Sequence, residues 1–234
     1  MRFTFATLAI TFLTATLSAQ ESWTPPRLQT GSSPAARISA VSGGEVFLEI
    51  TVTDRGTVSH IDVLRTTPPF TDIVLGEVRG WTFLPAERTS QRTSGTPPST
   101  VTELVTETVA SKVFVAAIFR PPSVNTPTLG SPPADAAAPT EEIASPVTSV
   151  TPGFPVQALY DGTVLTEVTI GVDGGVTSAE IVQSSAGFDE LALVTARQWS
   201  FRPARVSGQL EETYGYIAFA FRAPITGGVP MPVR

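Results

Sequence analysis

A six-residue string, Trp81-Thr82-Phe83-Leu84-Pro85-Ala86, returns as Trp199-Ser200-Phe201-Arg202-Pro203-Ala204, each position 118 residues further along. The same offset carries Gly44 to Gly162, Val46 to Val164, Gly56 to Gly174, Val58 to Val176, Phe70 to Phe188 and Arg79 to Arg197 without a gap. One register held through so many matches means that the chain contains two copies of one module. Any fold assigned to the first half must therefore serve the second.

Within the first copy Val46, Leu48, Ile50 and Val52 alternate with Phe47, Glu49 and Thr51, the period of a strand with one buried face. Val164, Val168, Ile170 and Val172 repeat the pattern. Asp54-Arg55-Gly56 and Asp173-Gly174-Gly175 supply turn residues that tolerate positive φ, so a hairpin leads into a second strand around Val58 to Leu64 and Val176 to Val182. Phe188, Leu191, Ala192, Thr195 and Trp199 recur at helical spacing, with Asp189 and Glu190 near the positive end of the helix dipole. The matching stretch, Phe70 to Gly80, contains Gly76, which costs about 1 kcal/mol relative to Ala inside a helix, so a shorter or frayed helix is expected there. A closing strand places Gly215, Ile217, Phe219 and Phe221 inward and Tyr214 and Tyr216 outward, matched by Val113, Val115, Ala117 and Phe119. The offset has now fallen to 102 (Phe119 to Phe221), so the first copy holds 16 extra residues after Ala86. The expected fold class is α+β: two β-β-α-β modules, each a small three-stranded antiparallel sheet with a helix packed on one face, joined by a Pro-rich linker and folding independently.

The remaining segments divide the chain further. Residues 3–19 carry no charge, follow Arg2 and end in Leu17-Ser18-Ala19, so residues 1–19 read as a secretory signal cleaved after Ala19. An uncleaved anchor is the alternative, although a spanning helix needs about 20 strongly apolar residues and this run is diluted by five Thr. A polar spacer occupies 20–36 and the first module 37–120, with a Thr/Ser/Pro-rich excursion at about 88–111. A linker rich in Pro, Ala and Thr fills 121–153, expected as an extended spacer of about 3.1 Å per residue. The second module spans 154–224, and 225–234 is a flexible tail.

Composition removes whole classes of chemistry. With no Cys and one His there is no thiol nucleophile, disulfide, thiolate zinc site or multi-His centre, and neither cofactor nor metal is expected. The net charge of −6, with its cations scattered, gives no footprint for nucleic acid. His60 lies near Ser59 and Asp62, but on a strand His60 and Asp62 share one face while Ser59 points to the other, so the three form no relay and a solvent-facing role is expected. Trp81 and Trp199, each just after a helix, are expected to pack the helix end onto the sheet.

Pro155-Val156-Gln157-Ala158, Gly162-Thr163-Val164, the Asp173-Gly174 turn, Ser184-Ser185, the Phe188 to Ala196 helix, the Trp199 to Ala204 string and Ile217-Ala218-Phe219-Ala220-Phe221 together resemble the TonB C-terminal domain. The second module matches over nearly its full length, and the first is a degenerate copy with an insertion. The resemblance implies a non-enzymatic envelope protein, in the periplasm or anchored to the inner membrane and facing it. By the same resemblance, its partner is a protein, an outer-membrane TonB-dependent receptor, whose extended segment adds as a strand near the last strand of the domain. In this chain that points to pairing along Tyr214 to Ala220, with Phe154, Tyr214, Tyr216, Ala218 and Ala220 as partner-binding residues. A complete transducer with an uncleaved anchor, a structural or oligomerisation module of the envelope and a homodimer all remain open at this point.

Overall fold

The computed structural model describes residues 21–34, 42–96, 99–122, 133–155, 158 and 160–223. The first copy runs through strands β1 (Ser22–Thr24), β2 (Arg27–Thr30), β3 (Gly44–Val52) and β4 (Val58–Thr66), helix α1 (Phe70–Val78), then β5 (Thr82–Leu84), β6 (Ala86–Ser94), β7 (Val101–Val109) and β8 (Ser111–Phe119). The second runs through β9 (Ala134–Asp135), β10 (Ser145–Thr148), β11 (Gly162–Ile170), β12 (Val176–Gln183), helix α2 (Asp189–Ala196), β13 (Ser200–Arg202), β14 (Ala204–Val206), β15 (Gln209–Glu211) and β16 (Thr213–Phe221). More than half of the described residues lie in strands, with two helices among them, an α+β composition.

The two sheets expected from the sequence are one. Seven strands lie in the order β12-β11-β16-β8-β3-β4-β9, and the closing strands of the two copies, β16 and β8, pair in parallel at its centre. Parallel neighbours related by a repeat imply a rotation about an axis lying along the strands, and such a rotation turns the sheet over. The helices accordingly sit on opposite faces. Phe70, Val74 and Val78 of α1 pack with Val46, Leu48, Ile50 and Val115, and this cluster takes in Leu165, Tyr216, Ala218 and Ala220 from the second copy. On the other face Phe188, Ala192 and Ala196 pack with Val164, Val168, Ile217 and Phe219, together with Phe47, Phe114, Ala116 and Ile118 from the first. Neighbours across a sheet share a face, whereas repeat-equivalent residues here face opposite sides, so the register across the seam must be odd. It is: Phe119 stands beside Ala220, 101 residues on, and not beside its equivalent Phe221.

Strands that meet helices on both faces cannot alternate between buried and exposed positions. Phe114 to Phe119 and Gly215 to Phe221 are buried without a break, and Phe47 and Glu49 of β3, expected on a solvent face, are also buried. Helix α1 has nine residues against eight in α2, so Gly76, whose missing side chain meets nothing within 4 Å, does not shorten it.

Each string that opened the sequence reading folds the same way. Trp81 and Trp199 are both 2% exposed, in the core as expected. Their Nε1 atoms donate to Ser32 O and Val150 O, each at 3.2 Å. Phe83 N donates to Gly56 O at 2.8 Å and Phe201 N to Gly174 O at 2.9 Å. At these two glycines φ is +80° and +82°, and a Cβ would sit 1.9 Å from the oxygen of Phe83 or Phe201. Only glycine allows that turn and that approach together.

The stretches read as spacers contain structure. β2 pairs with β5 and β10 with β13, again 118 residues apart, so the repeat unit begins before residue 37 and before residue 154. The excursion at 88–111 is the outer part of a long hairpin, β6 with β7, stapled by Thr89–Thr106 and Thr93–Thr102 hydroxyl contacts. In the second copy its counterpart is the three-residue hairpin β14–β15, turned through Ser207 (φ 51°) and Gly208 (φ 82°).

Candidate partner-binding surface

The strand expected to receive a partner has no free edge. β16 pairs with β11 from Gly162↔Phe221 to Ile170↔Thr213 on one side, and with β8 from Gly215↔Phe114 to Ala220↔Phe119 on the other. Ala218 and Ala220 are each 2% exposed and Tyr216 is fully buried. The outward-facing tyrosine of the sequence reading is thus a core residue, because the first copy contributes a strand and a helix over what a lone module would leave wet. Phe154 does not join the set. Half-buried, it meets the Phe188 ring edge-on at 5.9 Å and lies under Arg120, whose guanidinium is 5.2 Å from its centroid. Phe188 packs against Phe221, seven residues or about 23 Å along β16 from Tyr214, and on the face opposite Tyr216. The five expected binding residues are therefore not brought together. Binding by strand addition along Tyr214 to Ala220 is corrected: the chain's own β8 occupies that edge.

Two buried carboxylates, Glu49 and Glu167, stand 118 residues apart at 2% and 5% exposure. Each lies on the sheet face away from its own module's helix, and each is held by the N-terminal segment of the other copy. Glu167 takes the guanidinium of Arg27 at 2.8 Å and the phenol of Tyr216, which donates at 2.8 Å. Tyr216 Oη in turn accepts from Leu28 N at 2.7 Å. Glu49 takes Lys112 Nζ at 2.7 Å, and Thr140 donates to it from both its backbone N and its hydroxyl. The hydrogen bonds and charge of these carboxylates raise Arg27 and Lys112 above their usual values despite some desolvation. Burial, reinforced by the Glu167 charge, pushes the Tyr216 phenol well above its ordinary value. These are crossed clasps with every carboxylate oxygen engaged. The signal in the sequence was present, since Glu49 and Glu167 obey the same offset as the tryptophans.

His60 Nε2 lies 3.2 Å from Asp62 with both side chains largely in solvent, while Ser59 Oγ turns to Thr51 O. No cluster of three or more His, Asp or Glu lies together among the described residues. None of the described helices is long and apolar enough to cross a membrane, and residues 1–20, with the signal reading, lie outside the described set, as does the whole tail, 225–234.

The open backbone is at the periphery. Among the described residues, β12 ends the sheet on one side, and on the other β4 pairs only with the two residues of β9, through Arg65↔Asp135 and Thr66↔Ala134. Each outer strand is bulged near both ends, opposite the repeat-equivalent steps Phe47/Leu48 and Leu165/Thr166, and Thr51/Val52 and Thr169/Ile170, of the inner strands β3 and β11. A groove of about 610 Å³ lies beside β9, floored by Phe47 and Leu64 and walled by residues 135–139, Ser145 to Val147 and Arg202. Arg65, at its end, is drawn down by burial but carried above its usual value by Glu45 at 2.8 Å and Asp135 at 3.0 Å.

The family model described as Gram-negative bacterial TonB protein C-terminal matches residues 155–223, the part of the second copy from just after Phe154 to two residues beyond β16. No curated protein and no solved structure matches the chain.

Proposed function

We propose that this chain, whose second copy matches the TonB C-terminal family model, is a non-enzymatic, exported envelope protein that engages another envelope protein, and that its first copy permanently fills the place where the family takes up a partner strand. The observation that supports this is the parallel seam: β8 lies along β16 over Gly215 to Ala220, the stretch a receptor segment would need. A transducer must exchange that edge between receptors. A strand covalently tied to the same chain and buried on both faces does not leave it readily, so the reading favoured is an interaction or scaffolding module rather than an energy transducer.

Hydrogen–deuterium exchange on the full exported chain tests this. With peptides of the receptor's coupling segment added, the amides of 111–119 and 214–220 are expected to keep their protection unchanged. Deprotection of 111–119 with 214–220 still protected would mean that the peptide displaces β8, and would restore the transducer reading.

A further inference from the structure

Among the described residues, the repeat leaves one surface covered on the first copy and uncovered on the second. On the first, Ala136 N donates to Leu64 O at 3.0 Å, Arg65 Nε donates to Asp135 Oδ1 at 3.0 Å, and the segment continues past Leu64, which is 5% exposed. Adding 118 to Leu64 and Arg65 gives Val182 and Gln183, on the same bulge of β12, with β2 standing where β10 stands and Leu84 where Arg202 stands. Among the described residues no strand pairs with the outer edge of β12, and there Val182 is 41% and Leu84 53% exposed. The positions that would correspond to 134–139 are 16–21, and cleavage after Ala19 would remove most of them. The second copy is then short of its own covering segment.

We infer that the edge of β12 around Val182 to Ser184, beside Leu84, accepts an extended segment of a partner protein that carries small, uncharged side chains, in the way that Ala134 to Ala138 covers β4. The chain supplies the template for the chemistry. Its own covering segment is Ala-Asp-Ala-Ala-Ala, and the single acid answers Arg65. At the open site Gln183 replaces that Arg, with its Oε1 already accepting from Ser33 N at 2.7 Å, and Leu84 replaces Arg202. The acid loses its partner and an aliphatic side chain gains one. The charges nearby are already engaged: Arg27 and Glu180 face each other at 3.3 Å, and Asp189 accepts from Ser184 Oγ and from Ser185 N. This inference rests on the preceding reading in taking the chain to be exported, with its signal removed after Ala19, and the partner to be a protein.

The test uses the mature full chain, labelled for NMR, with two capped probe peptides: Pro-Ala-Asp-Ala-Ala-Ala-Pro and its analogue with Val in place of Asp. Saturable shifts are expected at 181–184 and at Leu84, with the Val peptide binding about fivefold tighter than the Asp peptide. Val182→Arg should abolish them without changing the melting temperature, and Val182→Ile should retain them. No saturable shift at millimolar peptide, shifts confined to other surfaces, or unchanged binding in Val182→Arg would overturn the inference. Self-association without peptide that Val182→Arg removes would assign the site to a second copy and overturn the partner. Protection of 214–220, read on the same sample, reports separately on the seam.

Discussion

Tyr216→Phe isolates the clasp on the second copy. The ring itself is no obstacle, because the equivalent position in the first copy, 102 residues earlier, is Phe114, buried in the same kind of seam. What is lost is one oxygen with two bonds: the donation to Glu167 at 2.8 Å and the acceptance from Leu28 N at 2.7 Å. A hydrogen bond to a charged group contributes about 1.5–3 kcal/mol, and an amide left without its partner costs about 1–3 kcal/mol more when dry and less when half-buried, so a loss of about 3 kcal/mol is expected. With an m-value of about 2–3 kcal/mol/M in urea for a chain of this size, the midpoint should fall by roughly 1 M at pH 7 and the slope should not change. A double-mutant cycle with Arg27→Ala should show coupling of about 1 kcal/mol, because both groups converge on the Glu167 carboxylate. The pH dependence adds a second signature. Folding raises the Tyr216 pKa, so the folded chain keeps this proton above pH 10 while the unfolded chain releases it. Stability is therefore full below about pH 10 and falls above it by up to about 1.4 kcal/mol per pH unit from this group. Lys112, also raised, loses its contribution above about pH 10.4 and is untouched by the substitution. Tyr216→Phe should accordingly flatten the alkaline fall without abolishing it. A midpoint shift under about 0.2 M, or strict additivity with Arg27→Ala, would refute the clasp as an energetic unit.

Three other outcomes follow from the same geometry. Unfolding should be a single cooperative transition by both calorimetry and tryptophan fluorescence, since each buried cluster draws on both copies; two resolved transitions assignable to the two halves would contradict a shared core. Gly174→Ala should destabilise by about 2 kcal/mol or more, through its positive φ and the 1.9 Å approach to Phe201 O, whereas Gly76→Ala in α1 should stabilise by about 0.5–1 kcal/mol; equal effects in thermal melts would show that the close approach relaxes. Replacing residues 89–106 by a two-residue Ser-Gly turn should leave the melting temperature within a few degrees, because most of the hairpin side chains removed are exposed; collapse of the fold would give that hairpin a role in the core.

Much of each copy was legible locally. Hairpin glycines, the helical spacing from Phe188 and the tryptophan strings are short-range patterns with a fixed physical meaning, and they fold as read. The seam is different in kind. Alternation was assigned to Val113, Val115, Ala117 and Phe119, yet Phe114, Ala116 and Ile118 between them are just as apolar, and so are Tyr216, Ala218 and Ala220 beside Ile217 and Phe219. A run with no polar side is the mark of a strand covered on both faces. Read that way, it excludes the free edge at β16, though it does not name the strand that covers it. Strands β2 and β10 were missed for another reason: four residues each, rich in polar side chains and mostly half or fully exposed, they are held by backbone pairing, with a tryptophan Nε1 donor anchoring the chain two residues beyond each, and neither leaves a hydropathy pattern.

Tying the two copies into one chain makes their encounter intramolecular. A pair of separate modules would part on dilution, whereas here the local concentration is set by the connecting segment and the pairing is first order at any expression level. The connection also releases the halves from sameness. In a homodimer every substitution appears twice and must suit both subunits. Here Tyr216 could acquire a hydroxyl where Phe114 has none, one half could lengthen a hairpin that the other keeps at three residues a side, and Arg65 could keep a charge that Gln183 gave up. The rotation that relates the copies is thus a scaffold for divergence, and the places where it fails are where the two halves have become free to do different work.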